Sequence, residues 1–199
     1  MEKRGQIWIE TVLYTLIGMV LIGLVLAFAT PVIKEQKDKS VVEASIQAIS
    51  SLDSEISSVK RGGESNTREV EIFIKKGKFI IGAANSLNGE DDMLIFEIED
   101  SDYAASEVGD DELIDISGTN LKIKTEKQGE KYKITIYRIY PLTDTDLTYA
   151  RKANEGNNQE QGQREYIFDQ SSTPYRILVE NWGDDGASNA DIINFYEVG

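Results

Sequence analysis

The sequence predicts an α+β protein: a long N-terminal α-helix, apolar in its first half and amphipathic in its second, followed by an antiparallel β-sheet or β-sandwich head. Three observations carry this. Thr11 to Ile33 contains no charged residue. Val42, Ile46, Ile49, Leu52, Ile56 and Val59 then recur at three- and four-residue spacing, which is helical. Beyond Asn66 the apolar residues alternate with polar ones in short runs, which is the period of a strand.

The first element begins with a short basic flank, Lys3-Arg4-Gly5, and then Gln6-Ile7-Trp8-Ile9-Glu10. The charge-free run that follows would extend about 35 Å as a helix, enough to cross a bilayer. Three uses of such a run compete at this point. It serves as a plain transmembrane anchor, or as a secretory signal cut after Ala29, where Ala27-Phe28-Ala29 has the small-x-small pattern. In the third use the helix is kept after a short leader is removed. Lysines do not decide the orientation, because Lys34, Lys37 and Lys39 flank the far end as Lys3 and Arg4 flank the near one.

Gly18, Gly23 and Ala27 would let helices approach closely, and Thr11, Thr15 and Gly18 add a small, weakly polar stripe. Pro31 ends the apolar run and is expected to kink or locally break the helix. The amphipathic stripe from Val42 to Val59 follows as a stem, its apolar face turned to the protein's own head. Gly62-Gly63 stops it. A helix from Gln6 to Lys60 would span roughly 80 Å if straight.

The head is read as strands. Val70, Ile72 and Ile74 alternate with Glu69, Glu71, Phe73 and Lys75; Gly77 turns the chain into Phe79-Ile80-Ile81. Leu94, Phe96 and Ile98 fall on one face of a strand from Met93 to Glu99. Leu121 and Ile123 precede a Gln128-Gly129 turn and a return strand with Tyr132, Ile134 and Ile136. Further strands are expected at 166–168, 176–180 and 192–196. No second long helical pattern appears, which argues against a βαβ architecture. Asn154 to Gln163 has nothing to bury and is read as a surface loop.

Composition narrows the chemistry. The net charge is -14, which argues against nucleic acid as a partner. With neither His nor Cys, thiol nucleophiles, Ser-His pairs and imidazole or thiolate metal sites are excluded. The roughly 140 residues after the helix must build a core without disulfides, and are enough to do so. Asp144, Asp146, Thr148 and Glu155 partly mimic an EF-hand loop, but Tyr149 stands where Gly is needed. A looser oxygen site from Asp184, Asp185 and Asp191 is outweighed by the solvated-surface reading in so acidic a chain. No phosphate loop, nucleophile elbow or N-glycosylation sequon is present. The expectation is a non-enzyme with no cofactor and no metal.

Lys3-Arg4-Gly5 before Gln6, with Glu10 fifth after the glycine, resembles the class III signal peptide of archaeal type IV pilins and archaellins. The resemblance covers about the first 35 residues. It implies cleavage between Gly5 and Gln6 and retention of the apolar helix. It further implies pairing of Glu10 with the α-amine of a neighbouring subunit's Gln6, and a head outside the cell. The implied partners are further copies of the chain in a helical filament, a prepilin-type peptidase, an assembly ATPase, a membrane platform protein and the membrane before assembly. The organisation expected is a leader over 1–5, a filament-core helix over 6–33, a helical stem over 34–61 and a β-rich head over 62–199. The implied outputs are adhesion, attachment or motility; a membrane-anchored binding domain that never polymerises is the alternative.

Overall fold

The computed structural model describes residues 3–82, 91–106, 113–141, 143–149, 165–184, 186 and 190–198. Its first element, α1 (Lys3–Gly62), is a single uninterrupted helix of 60 residues. Lys60 and Arg61 sit in its last turn, where cations oppose the negative end of the helix dipole. Gly63 closes it in the left-handed region at φ 80°, donating its N–H to the Lys60 carbonyl. The paired-glycine stop therefore falls where the sequence places it.

The local break expected at Pro31 does not occur; α1 runs through it. Proline removes one donor and crowds the carbonyl four residues back, but the turns on both sides of it stay helical. The neighbouring Thr30 hydroxyl bonds the Leu26 carbonyl at 2.7 Å, adding a side-chain contact to the same turn.

The two halves of α1 have opposite fates. Trp8 to Ile33 is exposed, apart from half-buried Gly18 and Ala29. In the stem, Val42, Ile49, Leu52, Ile56 and Val59 are buried and Ile46 is partly buried. They join one core cluster with both sheets of the head, so the stem is a wall of the head and not a tether to it.

The first sheet holds β1 (Thr67–Ile72), β9 (Tyr175–Asp184), β10 (Asp191–Glu197) and β7 (Thr145–Tyr149), in the order β1-β9-β10-β7. The second holds β4 (Ile114–Asp115), β5 (Lys122–Gln128), β6 (Lys131–Pro141), β3 (Asp91–Ser101), β2 (Lys78–Gly82) and β8 (Glu165–Asp169), in the order β4-β5-β6-β3-β2-β8. Pairing is antiparallel throughout except for β10 with β7, which is parallel. Inward residues of the two sheets meet across the core: Ile177, Val179 and Phe195 from the first, Phe79, Phe96 and Ile134 from the second.

Two turns show why particular residues stand where they do. Gln128 pairs with Lys131, leaving Gly129-Glu130 as a two-residue hairpin loop with Gly129 at φ 67°. Gly77, at φ 90°, passes so close to β3 that an added Cβ would lie 2.0 Å from the Glu97 carbonyl oxygen.

The strand readings hold with small changes of boundary. Met93 and Ile95, which alternate with the expected core face of β3, are buried too. With Ile80 they form a second, smaller cluster backed by Tyr137 and Ile139. The expected surface loop at Asn154 to Gln163 lies outside the described residues.

If the stem is a wall of the core, Ile56→Ala must destabilise the head. Deleting a fully buried aliphatic side chain costs about 2–5 kcal/mol. A denaturant titration followed by aromatic fluorescence or circular dichroism should show that loss, whereas Phe28→Ala, on the exposed half, should leave the head transition unchanged. Equal midpoints for Ile56→Ala and the parent would mean the stem does not belong to the core.

Candidate functional site

The candidate site is the exposed half of α1 together with the contacts that fasten its other half to the head. Seventeen large apolar side chains between Trp8 and Ile33 are exposed, among them Trp8, Met19 and Phe28 at about 70%. Burying one such side chain fully contributes about 1.5–3 kcal/mol. A run of this size therefore leaves tens of kcal/mol to be gained by any apolar cover. The segment is long and apolar enough to cross a membrane.

Its few polar groups are handled locally. Thr15 and Thr30 turn their hydroxyls back onto the Thr11 and Leu26 carbonyls at 2.9 and 2.7 Å. That removes unsatisfied donors from a surface meant for apolar neighbours. Glu10 is exposed, and the Tyr14 hydroxyl approaches its Oε1 at 3.4 Å from one turn on. The contact is long, and a carboxylate accepts several bonds, so Glu10 keeps capacity for another partner. A Cβ placed on Gly18 or Gly23 would meet nothing within 4 Å. Neither glycine is required by the chain's own packing. Ala27 is exposed alongside them.

The backbone is helical across Gly5–Gln6, while Met1 and Glu2 and the side chains of residues 3–7 lie outside the described set. The expected roles of Lys3, Arg4, Gly5 and Gln6 therefore have no side-chain geometry to set beside them.

The stem is fastened at three levels, none of which the sequence pattern revealed. At the top, buried Asp38 accepts from Lys76 Nζ at 2.7 Å and from the Asp102 backbone N–H at 2.7 Å. Lys76 also bonds the Asp100 carbonyl at 3.0 Å, and Lys131 pairs with Asp102. In the middle, Asp53 Oδ1 accepts from Arg138 Nε at 2.7 Å and from the Tyr140 hydroxyl at 2.6 Å. The Arg138 guanidinium lies 4.3 Å from the Tyr140 ring centroid, which fixes both side chains. Burial and the Asp53 carboxylate push the Tyr140 hydroxyl far above its usual range, so it remains a donor. At the base, Lys60 Nζ reaches Asp144 Oδ2 at 2.9 Å, Thr145 Oγ1 at 2.8 Å and Asp191 at 3.7 Å. Asp38 to Lys60 spans about 33 Å of helix. The three levels thus bind the stem along its length, and a pull on the apolar half loads the head through all of them.

The acidic positions considered for calcium have other uses. Asp144 holds Lys60, and Asp146 and Thr148 lie on β7, where a spacing of two is the period of one strand face. Asp184 Oδ1 accepts from the Gly186 N–H at 2.6 Å, and Asp191 leans toward Lys60. Asp185 and Glu155 lie outside the described residues. Among the described residues no three acidic side chains gather as a metal site would require.

Comparison with family models, with curated proteins and with solved structures finds no match to this chain. The architecture of an apolar N-terminal helix leading into a β-sheet head is compatible with that of a pilin.

The basal clasp makes a pH-dependent contribution. The hydrogen bond from Lys60 holds the Asp144 carboxyl below its usual range. With a depressed folded-state value, its stabilisation is complete above the unfolded value of about 3.9 and is lost as pH falls through the folded one. Lys60→Met should therefore flatten the fall in denaturant midpoint below about pH 4 relative to the parent. Parallel pH profiles for the two proteins would contradict this role for Lys60.

Proposed function

We propose that this chain is a structural subunit of a type IV pilus-like surface filament, assembled through α1 after cleavage between Gly5 and Gln6. The observation that carries the reading is the continuity of α1: one helix is exposed and apolar at one end and forms a wall of the head at the other. A flexible anchor needs no such rigid coupling. A subunit that must hand load from a buried filament core to its own head does.

Before assembly the apolar half would lie in the membrane, with the head outside. On assembly it would leave lipid for contact with its copies, exchanging one apolar cover for another. Glycines at 18 and 23, which the monomer does not need, would admit neighbouring helices closely. Glu10 would meet the new α-amine of Gln6 on a neighbour and set the axial register, a device for specificity more than for strength. Removal of the leader requires the helical turn at Gly5 to open, and glycine makes that opening less costly. A prepilin-type peptidase, an assembly ATPase and a membrane platform protein are the partners this mechanism needs. Adhesion, surface attachment or motility would be its output.

Sheared surface material is the direct test. Parent chain should pellet in thin filaments visible by electron microscopy, and Glu10→Gln should reduce pelleted chain by about tenfold while the chain accumulates in the membrane. Parent chain confined to membranes would favour the non-polymerising anchor. Filaments of unchanged yield from Glu10→Gln would remove the pairing role from Glu10.

A further inference from the structure

We infer that neighbouring heads contact one another through unlike faces: the lysine-rich β5–β6 hairpin of one copy seats on the acidic outer face of the first sheet of the next, around Trp182. The inference rests on the filament reading and adds the head-to-head contact that α1 does not supply.

The charge of the head is not evenly spread. Strands β1, β7, β9 and β10 carry seven Asp and Glu against two Arg, a net of -5. Strands β4, β5 and β6 carry six Lys and Arg against two acids, a net of +4, although Lys131, Lys133 and Arg138 pair with Asp102, Glu97 and Asp53 outside these strands. With β2, β3 and β8 counted, the second sheet as a whole nets -2, so the basic surface is its β4–β5–β6 edge, opposed to an acidic first sheet. Copies of a uniformly acidic head would repel; copies with this polarity attract when unlike faces meet.

The acidic face has a built centre. On β9 the register slips against β10 so that Trp182 and Gly183 form a bulge, with Gly183 at φ 92°. Buried Asn181 holds the bulge: its Oδ1 accepts from the Gly183 N–H at 2.7 Å. Its backbone bonds Ser65 and Asn66 at the end of the stem. A bulge re-aims a side chain, and here it presents an indole that stays 39% exposed. Glu180 accepts from the indole Nε1 at 3.2 Å and fixes its orientation. Exposed Asp184 lies two residues on, while Glu69 and Glu71 stand further along the sheet, opposite Leu178 and Arg176, and pair with Arg176. An exposed indole flanked by the Glu180 and Asp184 carboxylates is matched to an ammonium group, through its π face and its charged rim together.

The hairpin supplies such groups. Lys127 is exposed beside the Gly129-Glu130 turn. Lys122 pairs with Asp115 at 2.7 Å and Lys124 with Glu126 at 2.8 Å, yet an ammonium has three donors and each keeps some for a neighbour. The two faces are different surfaces of the molecule, so the contact is heterologous and propagates from copy to copy, as a filament requires.

The chain has no cysteine, which allows a clean cross-linking test. Full-length Lys127→Cys and Asp184→Cys chains are produced in the same cells, and sheared surface material is treated with a short bis-maleimide. A cross-linked dimer should form when both variants are present and not with either alone. Trp182→Ala in the Asp184→Cys chain should lower its yield about tenfold, and Trp182→Phe should retain most of it. Filaments that pellet normally but give no dimer, or give it from a single variant, would overturn this contact and leave the filament reading standing. Failure of the parent chain to pellet would overturn both. The unlike-pair cross-link decides the matter whether or not the Ala variant folds.

Discussion

Everything in this molecule depends on covering an apolar helix that the described residues of its own head leave exposed. Among the described residues, the large apolar side chains in the first half of α1 stay exposed, while the apolar stripe of the second half joins the core of the head. Hydrophobic burial is non-directional, so lipid and protein serve equally well as cover for the first half. What is directional is the coupling between halves. Because α1 is one helix, the cover chosen at Trp8 fixes where the head stands beyond Ser40.

The head is organised to keep that coupling stiff. The apolar stripe of the stem joins the core of both sheets, so removing the helix would open the sandwich. The clasps at Asp38, Asp53 and Lys60 add little burial, and each isolated ion pair contributes modestly. Their value is in position: they fix rotation and sliding of a helix that apolar contacts alone hold only loosely in register. Tyr140, kept protonated by its burial, meets Asp53 as a donor in the middle clasp.

The sequence carried the helix and most of the strands because both are read from periodicity. The stripe from Val42 to Val59 lies on one face with Ile46 at its edge, and the Gln128-Gly129 turn lies where the hairpin needs it. Other features resist such reading. β7 was hidden because Thr145 to Tyr149 holds a single strongly apolar residue between two polar ones, and its parallel pairing with β10 is a long-range fact. β4 is too short for any pattern. The break expected at Pro31 is a local rule overruled by long flanking helix. The clasps were invisible because Asp53 and Arg138 are 85 positions apart, and no local signal announces a tertiary ion pair. The candidate assembly surface was the opposite case: Glu10, Gly18, Gly23 and Ala27 stood out because they depart from an otherwise uniform apolar run.

The reading of α1 as an assembly helix turns on which residue begins the mature chain. Intact mass and N-terminal peptide mapping, on native membranes and on shed surface material, measure this directly. The account predicts a chain that begins at Gln6 with the whole apolar helix retained. A start at Thr30 would contradict it, since the helix would have been discarded as an ordinary secretory signal; an uncut Met1 would contradict it in favour of a simple membrane anchor.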